Sequence, residues 1–176
     1  MKKLLLGLLC TVTLGAYANP ADDLLNRIDK GAATKFKTIL VKSDKDFFEI
    51  DQAGNGKNTT APKPAGKNNP IIIRGNSWVN IAVGINWYLK HHAGIHITWN
   101  NMNQKLPNVL PAVKQKERHE TDLKLRYDFN YCTFSYTMAF WDWNRWQKEI
   151  DWMALHGINL PLAVVGADVV WYNVLT

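Results

Sequence analysis

The sequence has little cysteine and lacks an apolar run long enough to cross a membrane. Its 176 residues contain only two cysteines, Cys10 and Cys132, so a framework of several disulfides is excluded. The apolar run at residues 4–14 falls short of the roughly 18 residues that a membrane-spanning helix needs. Stabilisation by disulfides and anchoring by an integral membrane segment are therefore not expected.

The chain also lacks a strong excess of either charge. It has 21 Lys and Arg against 15 Asp and Glu, a formal net charge of +6. Loss of a leader containing Lys2 and Lys3 would leave 19 basic residues and a net charge of +4. Nucleic-acid-binding proteins concentrate basic residues in a patch or stripe, whereas this excess is diffuse. We expect no nucleic acid partner.

The N-terminus has the three parts of an export signal. Residues 1–18 read MKKLLLGLLCTVTLGAYA, which is a cationic start, an apolar core and a small-x-small cleavage site. We predict cleavage after Ala18 and export to the periplasm, the cell surface or the medium. Lipidation of Cys10 is the alternative, although Leu9 stands where a lipoprotein signal has a small residue.

The pattern after the leader is that of a small α+β domain at residues 19–105. Asn19 followed by Pro20 predicts a helix start, because Asn caps helices and Pro fits their first position. Strands are predicted at residues 36–41, 47–51, 71–74 and 95–99. Asn76 or Ser77 is expected to cap a further helix that packs one apolar face on the sheet.

Two stretches are expected to be irregular. Residues 52–70 are rich in Gly, Asn, Lys and Pro and are predicted to be a long hairpin loop. Residues 106–124 begin with spaced prolines and continue with charged residues without a clear period. We predict a linker there, or a short surface helix within it.

The segment 140–162, FWDWNRWQKEIDWMALHGINLPL, holds four of the chain's eight Trp residues. Asp142 is expected to cap a helix that runs to His156. The three- and four-residue spacing predicts one apolar stripe formed by Trp143, Trp146, Ile150 and Met153 or Ala154. Glu149 and Asp151 are expected on the exposed side of this helix. The indole rings suit either sugar stacking or an aromatic core.

The elements around this helix predict parallel strands. A strand at 125–132 precedes it, an almost purely apolar strand at 158–165 follows, and Gly166 opens another helix. Strand, helix, apolar strand and helix are typical of α/β proteins whose sheet is buried on both faces. Functional groups of such units lie at the carboxyl ends of the strands.

These residues also carry a resemblance to a known family. The run RYDFNYCTFSYTMAFWDWNRWQKEIDWMALHGINLPLAVVGADVVW (126–171) resembles the start of the catalytic barrel in the alpha-N-acetylglucosaminidases, family 89 of the glycoside hydrolases. FEIDQAGNGK and IIIRGNSWVNIAVGINWYLKHHAGIHITW resemble that family's N-terminal domain. The resemblance implies an α+β domain followed, at residues 125–176, by the first two β/α units of a (β/α)₈ barrel.

The resemblance implies an exported, exo-acting, retaining hydrolase that removes terminal α-linked N-acetylglucosamine from glycans without a cofactor. It places both catalytic Glu residues on later barrel strands, beyond Thr176, so this chain alone is expected to be inactive. The alternative is a non-catalytic carbohydrate-binding or interaction module derived from such an enzyme. We expect no metal site, since His91, His92 and His96 lack a carboxylate or Cys to complete a ligand set.

Four substrate-binding residues are implied by the resemblance. Asn130 and Cys132 belong to the N-Y-C triplet that lines the sugar site in the family. Gly166 and Asp168 belong to the loop G-A-D, where the family more usually has Gly, a polar residue and Glu. Cys132 has an alternative as an inert buried thiol, because free Cys is among the most buried residue types.

Overall fold

A computed structural model of the chain describes residues 19–52, 64–66, 68–162 and 166–176. The predicted leader, residues 1–18, lies outside these ranges. Within them, no helix combines the length and the apolar character that a bilayer crossing requires.

Helices and strands are mixed along the chain. In order, the elements are α1 (Pro20–Ile28), β1 (Phe36–Leu40), β2 (Asp46–Gln52), β3 (Ile71–Gly75), α2 (Trp78–His91), β4 (Glu117–Thr121), β5 (Tyr127–Asp128), α3 (Trp143–Leu155), β6 (Leu160–Pro161) and α4 (Ala167–Leu175). Single 3₁₀ turns lie at Ala32–Lys35 and Thr133–Ser135.

Four strands form one mixed sheet in the order β1-β3-β2-β4. β1 runs parallel to β3, whereas β2 is antiparallel to both β3 and β4. The predicted hairpin is therefore formed by β2 and β3, and most of its loop lies outside the described residues. A separate parallel pair joins β5 to β6, with Tyr127 opposite Leu160.

The helix starts follow the predicted capping signals. Asn19, Ser77 and Asp142 cap α1, α2 and α3, and each side-chain oxygen accepts from a backbone N–H two or three residues on. Asn76, the other candidate for α2, instead accepts from the backbone N–H of Phe47 at 3.2 Å. It joins the start of α2 to β2.

The end of α3 is a Schellman turn. Gly157 has φ of +81°, which suits glycine because it has no Cβ. The N–H of Ile158 donates to the carbonyl of Met153 at 2.9 Å, and that of Gly157 to Ala154 at 3.2 Å. This turn directs the chain into β6.

One core holds the sheet, α1, α2 and part of α3 together. Its largest fully buried side chains come from α1, the sheet, α2, the segment after α2, and α3: Leu25, Ile50, Ile71, Ile73, Ile81, Ile85, Tyr88, Leu89, Leu110, Val113 and Leu155. Leu155 belongs to α3, so the Trp-rich helix packs into the same core as the sheet.

The predicted strand at 95–99 is wrong. After α2 the backbone folds back, with the N–H of Ile95 donating to the carbonyl of Leu89 at 2.8 Å, and Thr98 and Asn101 pair in a tight turn. Ile97 is buried in the core without joining a sheet. The apolar pattern at this point reflects core packing rather than strand pairing.

The predicted linker at 106–124 is also wrong. β4 lies within it and pairs with β2, so the sheet extends to Thr121. The sequence of β4, ERHET, is charged because β4 is an edge strand, where charged side chains are common. The segment before β4 is held against the core, since the hydroxyl of Tyr88 donates to the carbonyl of Pro111 at 2.6 Å.

The predicted faces of α3 are reversed in part. Trp143 is 65% exposed and Ile150 46% exposed, whereas Glu149 and Asp151 are 3% and 8% exposed. Both carboxylates have cationic or N–H partners. These partners compensate for the lost hydration that normally keeps acidic side chains on the surface. Those partners include Arg27 and Trp99, which are remote in sequence.

The second strand of the parallel pair is shorter than predicted. β6 covers only Leu160–Pro161, and Leu160 is exposed. Residues 163–165 of the predicted strand at 158–165 lie outside the described residues. Burial on both faces is therefore not seen in the described part of this strand.

α2 approaches the sheet closely at Gly84. A Cβ placed on Gly84 would lie 2.7 Å from Cγ2 of Ile73 and 3.2 Å from Cδ2 of Phe48. The first distance is shorter than a van der Waals contact. We expect Gly84→Ala to destabilise the fold by about 1–3 kcal/mol, because overpacking outweighs the better helix propensity of Ala.

Urea denaturation of the two proteins measures this difference. Gly66→Ala is the matched control, because a Cβ at Gly66 meets nothing within 4 Å. Equal midpoints for Gly84→Ala and the parent protein would contradict the close approach.

Asp46 links β2 to the chain that enters β5. Its Oδ1 accepts from Nδ2 of Asn76 at 2.9 Å, and its Oδ2 pairs with Nη1 of Arg126 at 2.8 Å. The hydrogen bond from Asn76, followed by that from Arg126, lowers the pKa of Asp46. Stability from a carboxyl with a lowered pKa is present above its unfolded-state pKa and is lost as pH falls through the folded-state pKa.

We expect Asp46→Asn to be less stable than the parent protein at neutral pH, with the difference shrinking as pH falls below about 4. Urea titrations at a series of pH values from neutral downward measure the difference. The exposed Asp44 provides a control, Asp44→Asn. A stability difference for Asp46→Asn that stays constant through the acid range would contradict the assignment.

Candidate functional site

An aromatic cavity lies where β5 ends and α3 begins. Its volume is about 590 Å³, within the range of roughly 300–1,000 Å³ that small-molecule sites occupy. Its apolar wall is formed by Trp99, Phe129, Met138, Trp141 and Trp152. Indole and phenyl faces of this kind pack well against the C–H faces of ligands.

The wall is held by ring contacts that continue behind it. Trp141 meets Trp146 edge to face, with centroids 5.2 Å apart, and Trp146 stacks on Phe134 at 6.3 Å. Phe129 also meets Trp146 edge to face at 6.5 Å. Trp146, which the sequence assigned to an apolar stripe, therefore supports the cavity from behind.

The polar side of the cavity includes Asp128, Asn130, Thr133 and Thr137, together with the carboxylate of Glu149. Asp128 ends β5, and Asn130 and Thr133 follow it within five residues. The carboxyl end of a parallel strand is where α/β proteins place functional groups, and here it supplies hydrogen-bonding groups opposite the aromatic wall.

The turn out of β5 is strained. Phe129 has φ of +72°, the only positive φ of a non-glycine residue among the described residues. Its N–H donates to Oδ1 of Asp128 at 2.8 Å. A residue of this type in the left-handed region costs of order 1–3 kcal/mol and persists where the surroundings impose it, often at functional sites. The turn aims the following Asn130 at the cavity.

The amide of Asn130 is fixed by its carbonyl oxygen. Oδ1 accepts from the backbone N–H groups of Cys132 and Thr133 at 3.0 and 3.1 Å and from the Thr133 hydroxyl at 3.0 Å. Within the described part of the chain, Nδ2 has no protein acceptor. A donor with a set direction is thus available to a ligand in the cavity.

The other predicted site residues lie elsewhere. Cys132 is exposed and does not line the cavity, so the alternative of an inert buried thiol is wrong. Gly166, with φ of +77°, caps α4, and Asp168 is exposed in its first turn. Neither lines the cavity, and residues 163–165 before them lie outside the described residues. Sugar contacts from these three residues stay predictions.

Trp99 and Glu149 are among the cavity residues that the sequence did not identify as part of a site. Trp99 comes from the turn after α2, and its Nε1–H donates to Oε2 of the buried Glu149. Glu149 also pairs with Arg145 at 2.9 Å, four residues earlier on α3. The Arg145–Glu149 spacing was visible as a helical pair. No local sequence signal indicated that Trp99 would donate a hydrogen bond to the carboxylate of this pair.

A smaller polar cavity of about 350 Å³ lies between α1 and α3. It is lined by Arg27, Asp151 and amide side chains such as Asn103, Asn144 and Gln147. It has no aromatic wall. The aromatic cavity is therefore the better candidate for a ligand with an apolar face.

Family models match the two halves of the chain. The model described as "Alpha-N-acetylglucosaminidase (NAGLU) N-terminal domain" matches residues 19–112, more than half of the chain. The model described as "Alpha-N-acetylglucosaminidase (NAGLU) tim-barrel domain" matches residues 126–176. The chain belongs to the alpha-N-acetylglucosaminidase family.

Individual members of the alpha-N-acetylglucosaminidase family agree with this assignment. Human alpha-N-acetylglucosaminidase is 44% identical over 104 residues, which are 59% of this chain and 14% of the human protein. A family 89 glycoside hydrolase from Clostridium perfringens, solved with 2-acetamido-1,2-dideoxynojirmycin, has a TM-score of 0.75 at 31% identity. The match covers 89% of this chain and 17% of that enzyme.

A second structure of the bacterial enzyme has its substrate bound. It is a variant of the Clostridium perfringens enzyme with two Glu-to-Gln substitutions, in complex with GlcNAc-alpha-1,4-galactose, and has a TM-score of 0.76 at 31% identity over the same shares of both chains. The chain thus spans less than one fifth of the length of these relatives. The mixed α/β fold and the family resemblance expected from the sequence are confirmed.

An ion pair joins α1 to α3. Nε and Nη2 of Arg27 donate to Oδ2 and Oδ1 of Asp151 at 2.6 and 2.7 Å, and these hydrogen bonds to Asp151 raise the pKa of Arg27. We expect Arg27→Met to destabilise the protein by about 1–3 kcal/mol, because it leaves a buried carboxylate without its partner. Urea denaturation measures the loss.

The double variant Arg27→Met/Asp151→Leu is the matched control. Removing both charges should recover part of the loss, since no unpaired carboxylate remains. A single variant as stable as the parent protein would show that this ion pair does not hold α3.

Proposed function

We propose that this protein acts in the removal of terminal α-linked N-acetylglucosamine from glycans by a retaining mechanism, with the aromatic cavity forming part of the sugar site. The observation that carries the proposal is an aromatic wall facing a fixed amide donor at the carboxyl end of β5. Family membership and the ligands named for the bacterial relative support the same sugar class.

The cavity's chemistry suits an N-acetylated pyranose. The C–H face of the ring and the acetamido methyl can pack on the indole wall. Nδ2 of Asn130 can donate to a hydroxyl or to the acetamido carbonyl, and the hydroxyl of Thr137 can donate or accept. The hydroxyl of Thr133 donates to Oδ1 of Asn130, so it can only accept from a sugar. Binding of this kind needs neither a metal nor a cofactor.

The acids at the cavity are better suited to structure than to bond cleavage. A retaining glycosidase needs two carboxyl groups about 5–5.5 Å apart, one as nucleophile and one as acid and then base. Glu149 accepts from both Trp99 and Arg145, and Asp128 accepts from the backbone of Phe129. We therefore assign catalysis to two carboxyl groups outside this sequence of 176 residues.

The arrangement of the second half of the chain fits the same proposal. β5, α3, β6 and α4 would be the first two β/α units of a (β/α)₈ barrel, a fold of about 250 residues. The parallel pairing of Tyr127 with Leu160 supports this interpretation. Asp168, at the start of α4, would lie beside the sugar site once the barrel is closed.

Export forms part of the proposal. Residues 1–18 carry the cationic, apolar and small-residue parts of an export signal. An exported enzyme would meet glycans in the periplasm, at the cell surface or in the medium.

A second candidate is a carbohydrate-binding module without catalysis. It is favoured by a cavity whose wall and amide donor all come from the described residues, while its two acids are already held by other groups. Under this alternative the chain binds the sugar and cleaves nothing.

Turnover of an aryl α-N-acetylglucosaminide separates the two candidates. Protein expressed from the complete gene, with any in-frame continuation after codon 176, is expected to release the aryl group, and the activity is expected in the exported fraction of the cells. The chain of 176 residues is expected to bind N-acetylglucosamine without turnover. Asn130→Ala should raise KM roughly 5- to 100-fold, as expected when a polar group of the bound substrate loses its hydrogen-bond partner.

Each outcome has a defined meaning. Turnover by the 176-residue chain would contradict the assignment of catalysis to other residues. Binding without turnover by the product of the complete gene would favour the binding module. Activity confined to the cytoplasm would contradict export, and a KM unaffected by Asn130→Ala would remove Asn130 from the site.

A further inference from the structure

We propose that Trp99 is a sugar-contacting residue supplied by the sheet domain, the part of the chain from α1 to β4, and that Glu149 is the positioning residue that sets its indole against the cavity. The inference rests on the proposed function, because it assumes a sugar in the aromatic cavity. It adds a contribution from the first half of the chain to a site whose other lining residues all come from residues 127–152.

Trp99 occupies a turn rather than a core position. It lies between Thr98 and Asn101, which pair with each other, and is 43% exposed. Its exposed ring surface faces the cavity. An indole on a turn would have several rotamers open to it, and ordering such a side chain carries an entropic cost.

The orientation of Trp99 is fixed by a buried carboxylate. Its Nε1–H, the only donor of an indole, donates to Oε2 of Glu149 on α3. Glu149 is among the most buried charged residues described, and the same oxygen pairs with Nη2 of Arg145 at 2.9 Å. Hydrogen bonds to a charged acceptor are stronger than those between neutral groups.

The guanidinium of Arg145 holds the ring from a second direction. Its Cζ lies 4.8 Å from the Trp99 ring centroid and 3.9 Å from that of Trp141, within the range of about 6 Å for cation–π attraction. The centroids of the two indoles are 6.4 Å apart, at 55° to each other. Trp99 and Trp141 therefore form two walls whose angle is set by one arginine and one glutamate.

This arrangement gives Glu149 a role without proton transfer. Its carboxylate acts through the Trp99 ring, and the sugar is contacted by the ring. Loss of the charge should weaken sugar binding because the ring loses its orientation, while the chemical step, which depends on other carboxyl groups, stays unchanged.

The test uses protein expressed from the complete gene, with N-acetylglucosamine as the binding probe in calorimetry and an aryl α-N-acetylglucosaminide for kinetics. We expect Trp99→Ala to raise Kd and KM roughly three- to tenfold, the equivalent of one lost ring contact, with kcat unchanged. Glu149→Gln should raise both by a smaller factor, again with kcat unchanged. Trp143→Phe is the matched control, since Trp143 is exposed on α3 and does not line the cavity.

A double-mutant cycle distinguishes positioning from general stability. If Glu149 acts through Trp99, Glu149→Gln changes Kd in the parent protein and leaves it unchanged when Trp99 is already Ala. Trp99→Phe provides a second background, because Phe keeps a ring and lacks the N–H donor. It should retain part of the affinity and should also be insensitive to Glu149→Gln, even if Glu149→Gln lowers Tm.

Additive effects in the cycle, or an unchanged Kd for Trp99→Ala, would overturn this inference while leaving the proposed function intact. Failure of the parent protein to bind N-acetylglucosamine would overturn both. A fall in kcat for Glu149→Gln with an unchanged KM would also reject positioning, because it would give the carboxylate a part in the chemical step.

Discussion

The carboxylate of Asp151 accepts two hydrogen bonds from the guanidinium of Arg27, and this fork joins the first helix of the chain to the helix that carries the tryptophans. A buried carboxylate is costly unless a cation and good geometry compensate for its lost hydration. Because the partner is fixed on α1, α3 has few ways to pack without exposing an unpaired charge to the core. The ion pair thus selects one docking of α3, even if its net contribution to stability is small.

That docking makes the two halves of the chain one packed unit. Leu155 of α3 is buried in the core of the sheet, and Nδ2 of Asn86 on α2 donates to its carbonyl oxygen at 3.0 Å. Arg126 adds a second link, since it bonds Asp46 at the start of β2 and the carbonyl of Gly157 after α3. These contacts lie at the starts of β5 and β6, so the sheet domain determines where the carboxyl ends of the two strands lie.

Local signals in the sequence were reliable where the interaction itself is local. Asn19 and Asp142 cap helices through bonds to N–H groups two or three residues away, and Gly157 ends α3 within one turn. The prediction of an exposed Glu149 was wrong because one of the two groups that donate to its carboxylate, the indole of Trp99, is 50 residues away in sequence. β4 was not predicted for a related reason. Its partner β2 lies far away in sequence, and an edge strand need not be apolar.

The same distinction divides the candidate site. Asn130 could be identified before the structure because the family resemblance places it in a motif, and its turn geometry is set by Cys132 and Thr133 nearby. Trp99 belongs to no local pattern, because a tryptophan at a turn indicates core packing as readily as a ligand contact. The docking of α3 brings the buried carboxylate of Glu149 to Trp99 and places the exposed face of the Trp99 ring in the wall of the cavity. The aromatic cavity at the carboxyl end of β5 thus includes a wall whose position depends on how the rest of the chain holds α3.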